Sequence, residues 1–487
     1  MMSDRAHATS TPGQGSWVIW FSASLAIAAV FWFFFSYGYV EDDAFIHLEF
    51  ARSLAEGSGF SFNGKVVNGD TAPLWVVLLA AVHSIGVGWI GAAKILGCIG
   101  VLVAASGVWR VASSLAGAAR ASTHLASGAL LVTALNPYFI HWSFSGMESV
   151  SALGVSLWAI WAIFSAPLPG WRRLWAAACL LAIAPLLRPE LLLLSAAAGA
   201  FLLYRAWCLP SASPQRFTAI VLLAIIMALP TAVWSTYALE AFGSIVPNTN
   251  AAKRGGDLLS VSTKLATVYV VGFSTTLALL PICAQRLLKA NVPAMIWALL
   301  LWPLACVAFY LGDHTAVQTR YCLLSVPCLT IAALWLLQES ASRAWFRAVV
   351  GAMTLVNLIL VVGIVYPHIS NKIALVEAAS EASTYIREHL PPQAPVAVYA
   401  IGQLAFESRH PLIDIGGITR PEVLAYTGDL PATIRWARGQ GAQFYIGGDP
   451  PAPSAELLYG YRVPFLGWSF KRANYRTSTQ TAIYRLQ

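Results

Sequence analysis

The sequence predicts an all-α polytopic membrane protein with about eleven transmembrane helices and one re-entrant or interfacial segment, followed by a small C-terminal α/β soluble domain. Three observations predict this class. Of the 487 residues, 58% are hydrophobic and 11% are charged, whereas a soluble domain has about 25% charged residues. Apolar runs of spanning length recur as far as residue 366, and the chain turns polar from Pro367. These proportions exclude an ordinary soluble enzyme, a disordered chain and a disulfide-stapled secreted domain.

The apolar runs define the spans in order. The first, 17–36, follows a polar tail at 1–15 and is long enough to cross a bilayer of roughly 30 Å, so we interpret it as an uncleaved span. Further spans are predicted at 91–112, 123–141, 148–166, 172–187, 189–207, 217–239, 261–283, 292–311, 321–338 and 345–366. The run 73–89 is interrupted by His83, Ser84 and several glycines, and we expect it to lie at the interface or to re-enter.

The distribution of basic residues orients the spans. If 73–89 does not cross, ten Lys and Arg residues fall in the loops on one side, with Glu339 as their only acid. The ten are Arg110, Arg120, Arg172, Arg173, Arg205, Arg216, Arg286, Lys289, Arg343 and Arg347. Because basic loops face the cytoplasm, 1–15 is predicted to be a cytoplasmic tail, 16–366 the membrane domain, and 37–90 its first outer loop.

The C-terminal region, 367–487, is predicted to be a separate domain on the outer face. It holds 11 Lys and Arg and 9 Asp and Glu in 121 residues, a far higher density than the membrane region. A helix at 372–389 is followed by strand-like runs at 396–400, 443–446 and 481–486, with Gly and Pro turns between them. This alternation predicts a small α/β fold.

Acidic residues concentrate directly after the first span, at Glu41, Asp42 and Asp43. One interpretation is a solvated anchor at the end of a helix. The other is catalytic, because adjacent carboxylates raise one another's pKa toward the range of a general base. One acid of the pair would deprotonate an acceptor hydroxyl, and its neighbour would orient it.

The other outer loops carry cations and further polar groups. As candidates to bind a phosphate we take Arg188, Lys253, Arg254 and Arg320. As candidates to bind the substrate we take Glu148, Glu190, Asn248, Asp313 and His314. Each cation could instead be an interfacial anchor. A divalent cation is possible, and His47, Asp313 and His314 are its conceivable ligands, although the sequence leaves their proximity open and no cofactor is certain.

Several blocks resemble the GT-C membrane glycosyltransferases, and especially the bacterial group that includes mycobacterial terminal arabinofuranosyltransferases. The first block is the stretch 41–63, which begins Glu41-Asp42-Asp43-Ala44-Phe45-Ile46. The others, in the same order as in that group, are Ser145-Gly146-Met147-Glu148, Leu187-Arg188-Pro189-Glu190, Phe242-Gly243 with Pro247-Asn248-Thr249 and Lys253, Gly312-Asp313 with Arg320-Tyr321, and Asp414-Ile415-Gly416-Gly417-Ile418.

The resemblance implies a GT-C-like fold and an inverting transfer of a sugar from a polyprenyl-phosphate donor to a hydroxyl. The sugar would be a pentose such as arabinofuranose, or a hexose, and the acceptor a glycan, lipid or protein of the cell envelope. The acidic pair of the first loop, Asp42 and Asp43, would supply the base. We take Asp42 as the base and Asp43 as the group that positions the acceptor or the sugar. The expected location is the bacterial cytoplasmic (inner) membrane, with the site on the periplasmic or extracytoplasmic side and no nucleic-acid partner.

Two other functions remain open from the sequence. A secondary transporter or flippase of lipid-linked saccharides usually places charges or broken helices near the bilayer midplane, whereas here the polar clusters lie at one face. An O-antigen-type polymerase would also use outer-loop Arg residues, yet it would not require the acidic pair.

Overall fold

The structure, a computed structural model, describes residues 29–30, 32–115, 119–166, 170–210, 213–254, 257–288, 291–315, 317–338, 342–452, 455–463 and 479–486. The predicted cytoplasmic tail and most of the predicted first span lie outside these residues, as do Lys289 and Glu339.

Helices dominate the described part of the membrane domain. In chain order they are α1 Asp42–Ala55, α2 Pro73–Ser84, α3 Trp89–Leu115, α4 Ala119–Ala134, α5 Pro137–Ser143, α6 Ser149–Phe164, α7 Trp171–Leu187, α8 Leu191–Trp207, α9 Ser213–Phe242, α10 Asn248–Lys253, α11 Leu258–Leu277, α12 Leu280–Leu287, α13 Ala294–Gly312, α14 Ser325–Gln338 and α15 Arg343–Leu360. A short hairpin, β1 Ser61–Phe62 with β2 Lys65–Val66, follows α1, and a 3-10 turn, Thr319–Cys322, precedes α14.

Six of the described helices are long and apolar enough to cross a membrane, so the chain is a multi-pass membrane protein. They are Trp89–Leu115, Pro214–Phe242, Leu258–Leu277, Ala294–Gly312, Thr319–Gln338 and Arg343–His389. Four shorter apolar helices accompany them, at Pro73–Ser84, Thr123–Ala134, Ser149–Phe164 and Leu191–Trp207. The figure of eleven spans stays a prediction.

Helix α2 lies in the run 73–89, which the sequence predicts to lie at the interface or to re-enter. It begins at Pro73, a favourable first residue for a helix, and has 12 residues. At 1.5 Å per residue it is about 18 Å long, which is too short for a hydrocarbon core of roughly 30 Å. The chain then turns through Gly86, whose φ of 93° suits glycine, and enters α3.

Small residues let the helices of the bundle approach closely. At Gly154 of α6, a Cβ atom would lie 2.8 Å from the backbone nitrogen of Ala104 in α3. Only glycine permits this separation, because any side chain would push the two backbones apart. The core between these helices is lined by Ala104, Val108 and Leu157, each fully buried.

The last membrane helix runs on into the C-terminal region without a break. Helix α15 continues through a π turn, Val361–Val365, into α16, Tyr366–His389. The three segments form one helical stretch of 47 residues, Arg343–His389. The C-terminal region is therefore attached to the bundle by a helix and not by a flexible linker.

A five-stranded sheet forms the centre of the C-terminal region. Its strands are β3 Val396–Val398, β4 Leu412–Asp414, β5 Phe444–Gly447, β6 Glu456–Val463 and β7 Thr479–Arg485, and the order across the sheet is β4-β3-β5-β7-β6. Strand β3 runs parallel to β4 and β5, whereas β7 is antiparallel to β5 and β6. Helix α17, Gly402–Ser408, and helix α18, Leu430–Gly439, lie in the connections between the parallel strands.

Candidate active site

Helix α1 carries the acidic pair in its first turn. Glu41 precedes the helix as its N-cap residue, and Asp42 and Asp43 are the first two helical residues. Carboxylates are favoured there because the positive end of the helix dipole and the unpaired N–H groups stabilise negative charge. Although they are neighbours in the sequence, Asp42 and Asp43 contact different parts of the molecule.

Asp43 is directed toward the cationic loops of the membrane domain. Its Oδ2 accepts a hydrogen bond from Nη2 of Arg320 at 2.5 Å. Burial alone would raise the pKa of Asp43, but Arg320 and Lys253 hold it well below its usual range. The Asp43 side chain is 32% exposed, whereas the Arg320 side chain is 5% exposed. Asp43 is thus an ionised carboxylate that a substrate can reach.

Asp42 is directed toward the C-terminal region. Its carboxylate accepts hydrogen bonds from the backbone N–H groups of Gly402 and Gln403, at 3.2 and 2.9 Å. Burial raises its pKa to about 6, although these two N–H groups act in the opposite direction. The backbones are so close that a Cβ atom at Gly402 would overlap the carbonyl oxygen of Asp42. Asp42 is therefore used for docking the C-terminal region.

Further contacts join the segment that follows Asp42 to the C-terminal region. Arg52 donates a hydrogen bond to the carbonyl oxygen of Phe406 at 2.7 Å and lies 5.1 Å from the centre of its ring. Asn63 donates to the carbonyl oxygen of His410 at 2.8 Å and accepts from the N–H of Leu412 at 3.0 Å. The loop and the C-terminal region thus meet through hydrogen bonds with specific partners.

Arg188 joins the loop that contains Glu148 to the loop that contains Glu190. Its Nη1 donates to Glu148 at 2.7 Å, and its Nε bonds Glu190. The side chains of Arg188, Glu148 and Glu190 are 9%, 3% and 10% exposed. Because a buried guanidinium needs carboxylate partners, Arg188 is already compensated within the protein.

His47 continues this network into the first loop, and its role there was not predicted. Its Nδ1 lies 2.5 Å from Oδ2 of Asp70, and its Nε2 lies 3.2 Å from Oε2 of Glu148. Burial alone would lower the pKa of His47, but Asp70 and Glu148 raise it to about 10. His47 is therefore a buried imidazolium between two carboxylates. Among the described residues, the group whose ligand atoms come together is Glu41, His141 and His368, and a metal site made of His47, Asp313 and His314 stays a prediction.

Tyr321 is surrounded by three of the four predicted phosphate-binding cations. The centre of its ring lies 5.1 Å from the guanidinium of Arg188, 5.4 Å from that of Arg320 and 5.9 Å from Nζ of Lys253. An aromatic face attracts cations, and here it holds three like charges at one site despite their repulsion. The sequence placed Tyr321 in a matching block but assigned it no role.

The fourth cation, Arg254, lies further out. Its side chain is 54% exposed and pairs with Asp313, which also accepts a hydrogen bond from Thr315 at 2.5 Å. Arg254 holds the pKa of Asp313 below its usual range, against the effect of burial. Within the part of the chain that the structure describes, Lys253 differs from the other three cations because no carboxylate lies within ion-pair distance.

The remaining two predicted site residues lie on the same loops. The backbone N–H of Asn248 donates to the carbonyl oxygen of Asn68 at 2.8 Å, which ties the fourth outer loop to the first. His314 is exposed and has a left-handed φ of 52°, beside Asp313. The fold therefore brings the five loops together, although Asp42 faces away from the cations.

Lys94 is a further buried charge that the sequence analysis did not single out. It lies in α3 and is 1% exposed. Its ammonium donates to the carbonyl oxygens of Ser36, Tyr39 and Phe144 at 3.0, 2.6 and 2.5 Å. Lys94 thus satisfies backbone acceptors on the segment that leads into Glu41 and at the end of α5, and it holds these two segments together.

Comparison with solved structures identifies the architecture. ArnT from Cupriavidus metallidurans, solved with bound undecaprenyl phosphate, matches with a TM-score of 0.61 at 15% identity, over 97% of this chain and 98% of that chain. The chain has the fold of the GT-C membrane glycosyltransferases. Arabinofuranosyltransferase AftD from Mycobacteria also matches, with a TM-score of 0.55 at 16% identity over 95% of this chain, which spans 40% of AftD. The GT-C resemblance read from the sequence is confirmed at the level of the fold.

Sequence comparisons reach less far. A family model described as a domain of unknown function (DUF8728) matches residues 369–480, which lie in the C-terminal region. No curated protein matches the chain by sequence.

Proposed function

We propose that the protein is an inverting glycosyltransferase of the bacterial cytoplasmic membrane. It transfers a sugar, a pentose such as arabinofuranose or a hexose, from a polyprenyl-phosphate donor to a hydroxyl of a glycan, lipid or protein on the outer face. One observation carries the proposal: an accessible carboxylate, Asp43, lies beside a cluster of cations at the loop ends of a GT-C fold. The undecaprenyl phosphate bound to ArnT, which has the same fold, supports a polyprenyl-phosphate donor.

The contacts favour Asp43 as the general base, in place of Asp42. Both carboxylate oxygens of Asp42 are held by backbone N–H groups of the C-terminal region. Asp43 uses Oδ2 for Arg320 and is a third exposed. A general base must reach the proton that it accepts, so access decides between the two. Asp42 keeps a positioning role, since it fixes the first turn of α1.

The four cations also differ in whether they are paired within the protein or available to a phosphate. Arg188 is enclosed by Glu148 and Glu190 and organises the loops. Lys253, which has no carboxylate partner among the described residues, is the first candidate for the donor phosphate, and the exposed Arg254 is the second. Arg320 aligns Asp43 through Nη2. The other N–H groups of its guanidinium can contact the same phosphate. Asn248, Asp313 and His314 are candidates to bind sugar hydroxyls.

The reaction is a single displacement. The acceptor oxygen forms a bond to the anomeric carbon while the bond from that carbon to the phosphate oxygen breaks. The hydroxyl proton passes to Asp43, and the bonding electrons remain on the departing polyprenyl phosphate. Lys253 and Arg254 stabilise the negative charge that develops there. A lipid-linked donor moves only within the bilayer, which fits a site built from loops at the ends of the membrane helices.

The class of reaction can be tested in cells that lack the protein. Mass spectrometry of surface glycans, lipids and glycoproteins should show one missing sugar mass, restored by the wild-type chain and not by a membrane-inserted Asp43→Asn variant. An unchanged glycan profile in the deleted cells, or full restoration by D43N, would overturn the proposal. Accumulation of a complete lipid-linked saccharide on the cytoplasmic side would instead indicate a flippase.

A further inference from the structure

A second group of titratable side chains lies behind the acidic pair and takes no part in the reaction described above. Glu41, His141 and His368 each offer one ligand atom, and these atoms all lie within 4.8 Å of one another. They come from three separate segments, namely the residue before α1, helix α5, and the beginning of α16. Convergence of two imidazoles and a carboxylate from distant parts of a chain requires an explanation.

The contacts of Glu41 leave one carboxylate oxygen turned toward the histidines. Oε2 accepts from the ammonium of Lys372 at 2.7 Å, while Oε1 lies 3.9 Å from Nε2 of His141. The rings of His141 and His368 are tilted by 41°, with centres 5.0 Å apart. The side chains of Glu41 and His141 are 12% and 10% exposed, so the group is largely shielded from water.

A fourth candidate ligand atom lies beside these three. The hydroxyl of Tyr39, a fully buried residue, lies 3.0 Å from Oε1 of Glu41 and 3.0 Å from Nε2 of His141. It lies between the two groups that a shared ligand would bridge. Lys372 compensates the charge of Glu41 through the other oxygen and does not block this side.

This set of atoms matches the preferences of zinc. Zn²⁺ binds imidazole nitrogen and carboxylate oxygen at about 2.0–2.2 Å in a tetrahedron, which places ligand atoms roughly 3.3–3.5 Å apart. The separation of 3.9 Å between Glu41 and His141, and the upper limit of 4.8 Å for all three ligand atoms, reach that range when the side-chain atoms move by about 1 Å. Hard cations such as Mg²⁺ and Ca²⁺ prefer oxygen ligands, and two imidazoles disfavour them.

We propose that Glu41, His141 and His368 bind a zinc-like divalent transition-metal ion, with the Tyr39 hydroxyl or a water as the fourth ligand. The ion joins the residue that precedes Asp42 and Asp43 to the helix that carries the C-terminal region. Its role is structural, because its ligands belong to three separate segments that the ion would hold together. The site does not depend on the proposed transferase activity.

The proposal is tested by metal content and thermal stability of the full chain in detergent. After chelation and gel filtration, the wild-type protein titrated with Zn²⁺ should bind one equivalent and melt at a higher temperature, because a ligand of the folded state stabilises it. His141→Ala and His368→Ala should each weaken Zn²⁺ binding by about 100-fold or more and abolish the rise in melting temperature.

His389→Ala is the matched control, since His389 lies at the far end of the same helix as His368 and stacks on Tyr385. It should bind Zn²⁺ as the wild type does. Glu41→Gln, which preserves size, replaces the histidine variants if these fail to fold. Absence of stoichiometric Zn²⁺ binding by the wild type, or equal binding by E41Q, would overturn the proposal and leave Lys372 and Glu41 as a simple ion pair beside packed histidines.

Discussion

The two sides of helix α1 contact different partners by different chemistry. On one side, Asp43 meets a guanidinium from a loop 277 residues away, and His47 meets two carboxylates. On the other side, Asp42 meets two backbone N–H groups, and Arg52 meets a backbone carbonyl. An ion pair with a side chain can exchange for a charged ligand, whereas a bond to backbone fixes position. The side of α1 that carries Asp43 and His47 is therefore suited to the reaction. The side that carries Asp42 and Arg52 holds the membrane domain and the C-terminal region together.

The largest effect should separate Asp43 from Asp42. Loss of a general base costs about 10²- to 10⁴-fold in rate, so Asp43→Asn should lower sugar transfer by this factor. Asp42→Asn keeps the shape of the side chain but can accept only one of the two hydrogen bonds from Gly402 and Gln403. Because loss of one such bond costs about 1–3 kcal/mol of docking and removes no reacting group, its rate should stay within about tenfold of the wild-type rate. Initial rates of the purified variants, measured with the donor identified from the missing sugar mass, check this. If D42N were the slower variant, the roles would be reversed.

The next effect concerns Lys253, which has no carboxylate partner in the part of the chain that the structure describes. Lys253→Ala should weaken binding of undecaprenyl phosphate by roughly ten- to a hundredfold, since a hydrogen bond to a charged group contributes about 1.5–3 kcal/mol. Binding to protein in nanodiscs can be measured by titration of the lipid. Lys65→Ala removes an exposed lysine of the β1–β2 hairpin and should bind the lipid as the wild type does. Equal affinities of K253A and K65A would exclude Lys253 from the phosphate site.

A smaller effect, on stability, should follow from disturbing the contact between Asp42 and the C-terminal region. Gly402→Ala places a methyl group against the carbonyl oxygen of Asp42, and such overpacking costs about 1–3 kcal/mol. We expect earlier unfolding and faster proteolysis between the two regions. Gly439→Ala is the matched control, because a Cβ atom there meets nothing within 4 Å. Identical melting of G402A and G439A would show that the close contact does not stabilise the docked arrangement.

The last effect is a pH dependence of stability that involves His47, on the same side of α1 as Asp43. The folded-state pKa of His47, about 10, exceeds its unfolded value of about 6.5. Its contribution to stability is therefore complete below about pH 6.5 and is lost as the pH rises toward 10. The difference in melting temperature between the wild type and His47→Gln should shrink across this range. A difference that stays constant from pH 6 to 9.5 would mean that His47 is not held as an imidazolium.

Much of the site could be predicted from the sequence because charged residues are costly near lipid. Asp43, Glu148, Arg188 and Arg320 were notable as polar residues at the ends of apolar runs, and the structure brings them together. The sequence could not tell Asp42 from Asp43, since adjacent residues of a helix point about 100° apart and their partners lie hundreds of residues away. The side on which each partner lies is a property of the tertiary fold.

The residues whose observed contacts the sequence did not predict share one property, which is that their partners are remote. His47 is a lone histidine until Asp70 and Glu148 are placed beside it. Lys94 is a lone charge in an apolar helix until three carbonyl oxygens surround it. Tyr321 is an ordinary aromatic residue in sequence. In each case the local pattern carries no information on which groups will compensate the charge.

The helix that joins the two regions sets a strict limit on how they can be arranged. Its 47 residues, Arg343–His389, correspond to about 70 Å, of which roughly 30 Å lies within the bilayer. One inserted residue would turn everything beyond it by about 100° and raise it by about 1.5 Å. Lys372 would then leave Glu41, and Gly402 would leave Asp42. The number of residues in this helix therefore determines whether Glu41 and Asp42 meet their partners. We expect single insertions in the helix to disrupt the protein, whereas a loop would tolerate them.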